Sequence, residues 1–391
     1  MKKYIGLSLL FIGFVIICFV LYSNSRYSAY TRTFSPYTLL QSSWEKYKVN
    51  FLSEDGRILD STQDNITTSE GQSYALLRAV WSDDRETFDK VWLFTKNNLQ
   101  HKNDKLFGWK WGRIEGDTYG FLKDGGENSA SDADSDIAFA LILAGNRWTN
   151  SEYTAQAKEI LKDMWNMETA EVKGKRYLTA GNWAQSSDSI IVNPSYFSPY
   201  AWRIFATVDT DRDWNSLVGP GYELLAQSST LPLDKEKSIG LPPDWVAVMR
   251  NTGELKASPL PNLKTNYSYD AMRIPWRVAL DYQWNRDARA FEYLSSLKIF
   301  SQIYKKSDYK LGSAYSHDGT VLEDYENPTM YATVIGYFMV VDPEMAKKIY
   351  QEKILDLYST DKTQFNENIP YYEQNWLWFG AALYNERLVA Y

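Results

Sequence analysis

The chain has 391 residues, enough for one large domain or two ordinary ones, and its net charge of −7 with no basic stripe argues against a nucleic-acid partner. One cysteine, Cys18, rules out an internal disulfide, and two histidines, His101 and His317, leave too little material for a histidine-rich zinc site or a Ser-His-Asp triad. No metal or other cofactor is expected, and the chemistry falls to carboxylates; 15 Trp and 29 Tyr supply flat apolar faces with polar edges, which suit stacking on sugar rings.

Lys2 and Lys3 precede an uncharged run, Tyr4 to Tyr22. As a helix it would span about 28 Å, close to the thickness of a bilayer core. Positive charge before the run places Lys2 and Lys3 in the cytoplasm and the rest outside. A cleavable signal peptide is the competing reading, but the run is long for one and no A-x-A site follows. A lipoprotein reading of Cys18 is weaker, since Val15, Ile16 and Ile17 before it are not small. The expected division is 1–26 for a cytoplasmic tip and membrane anchor (or signal peptide), 27–35 for a polar tether and 36–391 for one catalytic domain.

From Pro36 onward the apolar spacing predicts helices over 36–51, 70–81, 85–99, 134–146, 150–165, 199–208, 212–228, 271–283, 286–305, 328–341, 343–357 and 373–388. Ser69 followed by Gln72 reads as a capping box, and Ser198 before Pro199 as another helix start. Partners are separated by short turns and pairs by long links: 52–69, 100–133, 166–198, 229–270 and 306–327. The expected fold is all-α: six helical hairpins in a ring, an (α/α)6 barrel preceded by one transmembrane helix, with the long links at one end. An open α-solenoid is the rival, but no repeat of fixed period is visible. The long links carry Trp109, Trp111, Trp183, Tyr196 and Trp245, which together suggest a sugar-binding groove.

Three carboxylates sit at predicted helix starts. Asp132, Asp134 and Asp136 alternate before the apolar run Ile137 to Ala144, with Ser131 or Asp132 as N-cap. A calcium loop fails on spacing: with Asp132 as position 1, Ile137 stands where a Gly is needed and Leu143 where a Glu is needed. Glu70 lies in the first turn after Ser69, and Asp270 begins a helix one turn before Arg273. If these helices are inner and point the same way, Glu70, Asp132 and Asp270 meet at one mouth of the barrel. Two carboxylates across a glycosidic bond are what its hydrolysis requires. A helix N-terminus lowers a carboxyl pKa, so burial and nearby aspartates must raise Glu70 for it to serve as an acid near neutral pH.

At these residues the chain resembles glycoside hydrolase family 8. The pattern A-[ST]-D-[AG]-D-x-x-[IM]-A, continuing through apolar positions to an aromatic, is matched from Ala130 to Trp148. SEG at Ser69–Gly71 followed by Tyr74 is similar to the family's acid motif, and YDAMR at Tyr269–Arg273 to its base motif. The resemblance covers about residues 40–390. It implies an (α/α)6 barrel and an inverting endo-hydrolase of β-1,4-linked polysaccharide. In it Glu70 is the general acid, Asp270 the general base, and Asp132 binds and helps distort the sugar beside the cleaved bond. It also implies that Tyr196 helps hold the water, that Arg273 supports Asp270, and that Trp109, Trp111, Trp183 and Tyr372 are subsite residues. A membrane-tethered copy without an attached binding module favours a cell-surface or biofilm exopolysaccharide as substrate, cleaved outside the cell by a monomer. Ordinary β-1,4-glucanase activity of the cellulase or chitosanase type is the runner-up, and a non-catalytic polysaccharide-binding protein on the same barrel is the reading from another class.

Overall fold

The computed structural model describes residues 35–359 and 361–391. The anchor expected at 4–22 and the tether up to residue 34 lie outside them; among the described residues no helix is long and apolar enough to cross a membrane. Leu40–Tyr391 form one compact unit.

The predicted helices form, most with shifts of a few residues at their ends; those expected over 85–99 and 343–357 end at Phe94 and Ile349 and run on as wider turns, Thr95–Leu99 and Tyr350–Ile354, and the one expected from 212 starts at Val218. They are α1 (Pro36–Phe51), α2 (Ser69–Ser82), α3 (Arg85–Phe94), α4 (Ser131–Arg147), α5 (Ser151–Met167), α6 (Pro199–Val208), α7 (Val218–Thr230), α8 (Ile274–Asn285), α9 (Ala288–Ser296), α10 (Ile299–Lys306), α11 (Pro328–Val341), α12 (Pro343–Ile349) and α13 (Tyr371–Tyr384). The stretch expected as one helix over 286–305 is two, α9 and α10. A tight 3-10 turn, Ala271–Arg273, leads into α8.

Helices α2, α4, α6, α8, α11 and α13 form an inner ring in which each touches the next. The ring closes between α13 and α2 through edge-on aromatic contacts, Tyr74 to Trp376 at 5.6 Å and to Phe379 at 5.4 Å. These helices are apolar on nearly every side because they are covered on every side: Ser131 to Gly145 of α4 are all buried. Backbones approach closely where glycine permits it. A Cβ on Gly380 would stand 2.4 Å from Ala332 O, and one on Gly336 would stand 2.5 Å from Pro275 O.

Five of the helix pairs are hairpins in sequence, with α6 and α7 joined through the turn Trp214–Leu217. The sixth is not a hairpin, as had been expected, but joins the two ends of the unit. Trp378 Nε1 donates to Leu40 O at 2.9 Å, Asn375 Nδ2 donates to Tyr47 Oη at 3.0 Å, and the Arg78 guanidinium lies 4.2 Å over the Tyr47 ring. A closed ring requires its first and last elements to cover each other, so this pair needs no turn.

The all-helical expectation is corrected in the long links, which pair their backbones as small antiparallel sheets. One comprises β1 (Thr67–Thr68), β2 (Lys110–Glu115) and β3 (Thr118–Phe121), with Trp111 opposite both Thr67 and Phe121. A hairpin joins β4 (Thr169–Val172) to β5 (Lys175–Leu178). A second three-stranded sheet comprises β6 (Ser189–Val192), β7 (Val246–Met249) and β8 (Leu255–Lys256), with Ile190 opposite Val248. Ala170, Val172, Ile190, Val192, Val246 and Val248 pack with Leu224 in their own apolar cluster. A buried link must satisfy its N–H and C=O groups, and strand pairing is how these links do so.

Candidate active site

The first turns of the inner helices supply the site, and their caps explain which side chains are free. Thr68, not Ser69, caps α2: its hydroxyl accepts from Gly71 N at 3.0 Å. The expected capping box is absent because Gln72 turns away, accepting from Ile58 N at 2.7 Å and donating to Gly56 O and Thr95 Oγ1. Glu70, the second residue of α2, therefore makes no cap and faces the cleft. The N-cap of α4 is Ala130, without a side-chain bond, which corrects the assignment of that role to Ser131 or Asp132. Ser131 Oγ instead donates to Thr179 O, and Asp132 is released to the site.

The three alternating aspartates have three different partners. Asp132 Oδ2 accepts from Arg273 Nη1 at 3.0 Å. Asp134 Oδ1 accepts from Phe107 N at 3.1 Å, beside Glu168. Asp136 takes a two-pronged bond from Arg277, at 3.1 and 2.8 Å. Only the first belongs to the cleft; the other two tie α4 to a link and to α8.

Arg273 is the hub. It is 1% exposed. Nη1 donates to Glu70 Oε2 at 2.9 Å and to Asp132; Nη2 donates to Asp270 Oδ1 and, at 2.8 Å, to Ser195 Oγ; Nε donates to Asp270 O at 3.2 Å. Its guanidinium carbon lies 5.4 Å over the Tyr196 ring, a cation on an aromatic face. Ser195 Oγ donates in turn to Asn193 Oδ1 at 2.7 Å, which fixes the hydroxyl as an acceptor for the arginine. The expected convergence of Glu70, Asp132 and Asp270 is thus present in the structure, on one buried cation.

The carboxylates are not equivalent. Burial pushes Glu70 up to about 7; the charge of Arg273 opposes this, and Asp132 and Asp270 add to it. Burial also raises Asp132, again against Arg273. Side-chain exposure is 26% for Glu70, 5% for Asp132 and 31% for Asp270. Glu70 and Asp270 open on a cavity of about 350 Å³ bordered also by Asp60, Thr62, Gln63, Tyr269, Tyr371 and Tyr372.

The aromatic residues divide. Tyr372 borders the cavity, and its hydroxyl donates to Tyr269 O at 2.7 Å. Tyr196, Trp245 and Trp183 form a row, with ring centres 6.0 and 6.4 Å apart, leading away from Arg273. Trp109 presents an exposed ring, and its carbonyl accepts from Ser69 N at 3.1 Å, next to Glu70. Trp111 is not brought to the cleft: it is buried, stacked on Tyr119 at 5.3 Å with Arg57 4.8 Å over its ring. Ser195, Tyr269, Tyr371 and Asp244 were not singled out from the sequence. Ser195 directly precedes Tyr196 and was within reach through it. Asp244 has no local signal, because its partners are residues 268–271.

A ring of paired helices whose mouth holds a carboxyl raised to about 7, a second carboxylate and an open tyrosine-lined cavity has the parts that glycoside hydrolysis requires. The family model of glycosyl hydrolases family 8 matches residues 16–376. The chain is 33% identical over 245 residues to an endoglucanase of Cellulomonas uda, covering 62% of this chain and 64% of that protein. It is 28% identical over 332 residues to endoglucanase A of Acetivibrio thermocellus, covering 81% of this chain and 64% of that protein. The chain therefore spans 64% of the length of each of these relatives. Among solved structures it is similar to endoglucanase Cel10, a family 8 glycosyl hydrolase from Klebsiella pneumoniae, with a TM-score of 0.70 and 25% identity over 89% of this chain and 99% of that one. The chain belongs to glycosyl hydrolases family 8.

Proposed function

We propose that this chain is an endo-acting glycoside hydrolase that cleaves β-1,4-linked polysaccharide with inversion, Glu70 serving as general acid and Asp270 as general base. The observation that carries the reading is the arginine hub. It gathers three carboxylates at one mouth of the barrel, with Glu70 and Asp270 opening on the same cavity. Glu70, pushed up to about 7, retains a proton for the leaving oxygen. Asp270 takes a proton from water as the water oxygen bonds to the anomeric carbon and the bond to the leaving oxygen breaks. The Tyr196 ring lies against Arg273, the residue that holds Asp270, which supports a part for Tyr196 in holding that water. Asp132, nearly buried and held by the same arginine as the other two, binds and distorts the sugar at the cleaved bond in this reading. Tyr372 and the exposed Trp109 offer sugar contacts on the rim; Trp183 does so at the end of its aromatic row.

The names of the curated relatives, endoglucanases, support β-1,4-glucan as a substrate. The apolar run at 4–22 supports a membrane tether with the barrel outside the cell and hence a cell-surface exopolysaccharide. The test is release of new reducing ends, with loss of viscosity, by the full chain on β-1,4-glucan, chitosan, xylan and purified exopolysaccharide, with Glu70→Gln as control. Release from one polymer, lost in the variant, is expected. Binding without release on every polymer would replace the hydrolase by a polysaccharide-binding protein. Cell fractionation tests the tether: the full chain should pellet with membranes in high salt, and quantitative release into the medium would refute an anchor.

A further inference from the structure

Asp270 occupies the N-cap position of the turn Ala271–Arg273, yet its side chain makes no cap bond. An aspartate there ordinarily folds back onto the amides of its own turn. The carboxylate that serves this turn comes from elsewhere. Asp244 Oδ1 accepts from Ala271 N at 2.7 Å and from Ser268 N at 3.2 Å, and Ser268 Oγ donates to Asp244 Oδ2. Asp244 is 5% exposed, and its strand end is tied to the same segment: Asp244 N donates to Asn266 O at 2.6 Å and Trp245 N to Lys264 O at 3.1 Å. Asp244 thus brackets Asp270, bonding the backbone two residues before it and one after it. Among the described residues Asp270 is left with one side-chain bond, to Arg273, and an open side toward the cavity. The adjacent Trp245 backs the Tyr196 ring, so one short segment braces both Asp270 and the tyrosine beside it.

We propose that Asp244 is a positioning residue for the base: by capping the Ser268–Ala271 turn from the segment that leads into β7 it keeps the Asp270 carboxylate free and aimed at the attacking water. The inference rests on the reading of Asp270 as general base. Burial and the charge of Asp270 push the Asp244 carboxyl up to about 7, against the hydrogen bonds it accepts from Ser268 and Ala271.

The test is a double-variant cycle in the full chain, comparing Asp244→Ala, Asp244→Asn, Asp270→Ala and Asp244→Ala/Asp270→Ala for kcat and KM on β-1,4-glucan. Misplacing a base by about 1 Å costs on the order of 10- to 100-fold, so Asp244→Ala should lose that factor in kcat with KM within about twofold. Asp244→Asn keeps an acceptor for both amides and should recover most of the loss. The double variant should be no slower than Asp270→Ala alone, because a positioning residue has no effect once the group it positions is gone. Multiplying losses, or an Asn variant as slow as the Ala variant, would overturn the proposal while leaving Asp270 as base. Full activity in Asp270→Ala would overturn the base assignment and the proposal with it. Should Asp244→Ala fail to fold, Asp244→Ser, with a shorter acceptor, carries the same cycle.

Discussion

Replacing Arg273 by methionine keeps most of the buried stem and removes the charge that holds Glu70, Asp132 and Asp270 together. Arg273 is 1% exposed and donates to all three carboxylates, so nothing in solvent can take its place. Removing one partner of a buried ion pair costs about 3–5 kcal/mol, because the other charge is left uncompensated. With an unfolding entropy of about 2.1 cal/mol/K per residue, a chain this size shifts by about 1 °C per kcal/mol, so the midpoint of thermal unfolding should fall by about 4–6 °C. The loss should also depend on pH, with a definite sign. Arg273 lowers the pKa of both Glu70 and Asp132 in the folded state, against burial. Without it those carboxyls, already raised in the wild type, hold their protons to still higher pH in the folded variant, so the variant's deficit grows as pH rises. One additional proton held over one pH unit is worth about 1.4 kcal/mol, so the deficit should be larger at pH 8 than at pH 5 by at least about that amount. Urea denaturation of both proteins at the two pH values measures this. A deficit under 1 kcal/mol, or one that shrinks from pH 5 to pH 8, would refute the hub as the element that holds the carboxylates together.

Three further outcomes are expected. In Glu70→Gln, hydrolysis of polysaccharide should fall on the order of 10³-fold, while a substrate with a good leaving group loses less; the decline of wild-type kcat/KM as pH rises through about 7 should disappear from the variant's residual profile on that activated substrate. Equal loss on both substrates would remove Glu70 from the acid role. Trp109→Ala should raise KM several-fold with stability unchanged within about 0.5 kcal/mol, whereas Trp111→Ala should cost about 3–5 kcal/mol, since one ring is exposed and the other buried; chemical denaturation and steady-state kinetics separate the two. Glu168, buried beside Asp134 with its carboxyl raised to about 7, binds a proton more tightly when folded than unfolded. Its contribution is therefore lost as pH rises from about 4.5 through 7, and Glu168→Gln should lessen the wild-type fall in stability between pH 5 and pH 8 by on the order of 2–3 kcal/mol; unfolding curves that stay parallel across that range would contradict this.

The helices were legible because each buries a stripe at helical spacing, and the ring followed from their pairing and from runs such as Phe139 to Ala144 that are apolar on all sides. Glu70, Asp270 and Asp132, which the structure gathers on Arg273, were marked by motif and by position at helix starts. Residues whose role depends on distant partners were not legible. Thr68 and Ser69 are equally good caps by composition, and only the exit of Gln72 toward Ile58 and Thr95 decides between them. Asp134 and Asp136 look like Asp132 in sequence and differ only in what α4 sets opposite them. Trp111 is indistinguishable from Trp109 until the pairing of β2 with β3 places Tyr119 against its face. The sheets in the links escaped notice because their partners lie far apart: β6 pairs with β7 across more than fifty residues, a contact that hydrophobic periodicity does not report. Asp244 belongs to the same class, a side chain whose significance is the turn it reaches.

The most direct test of a paired general acid and general base is the configuration of the first product. Proton NMR of the full chain acting on a soluble β-1,4-linked oligosaccharide, recorded before mutarotation sets in, shows which anomer forms. The α anomer is expected, since a water activated by Asp270 attacks the face opposite the leaving group protonated by Glu70. A β anomer appearing first would mean that a carboxylate attacks the sugar itself, and would contradict the assignment of Asp270 as base.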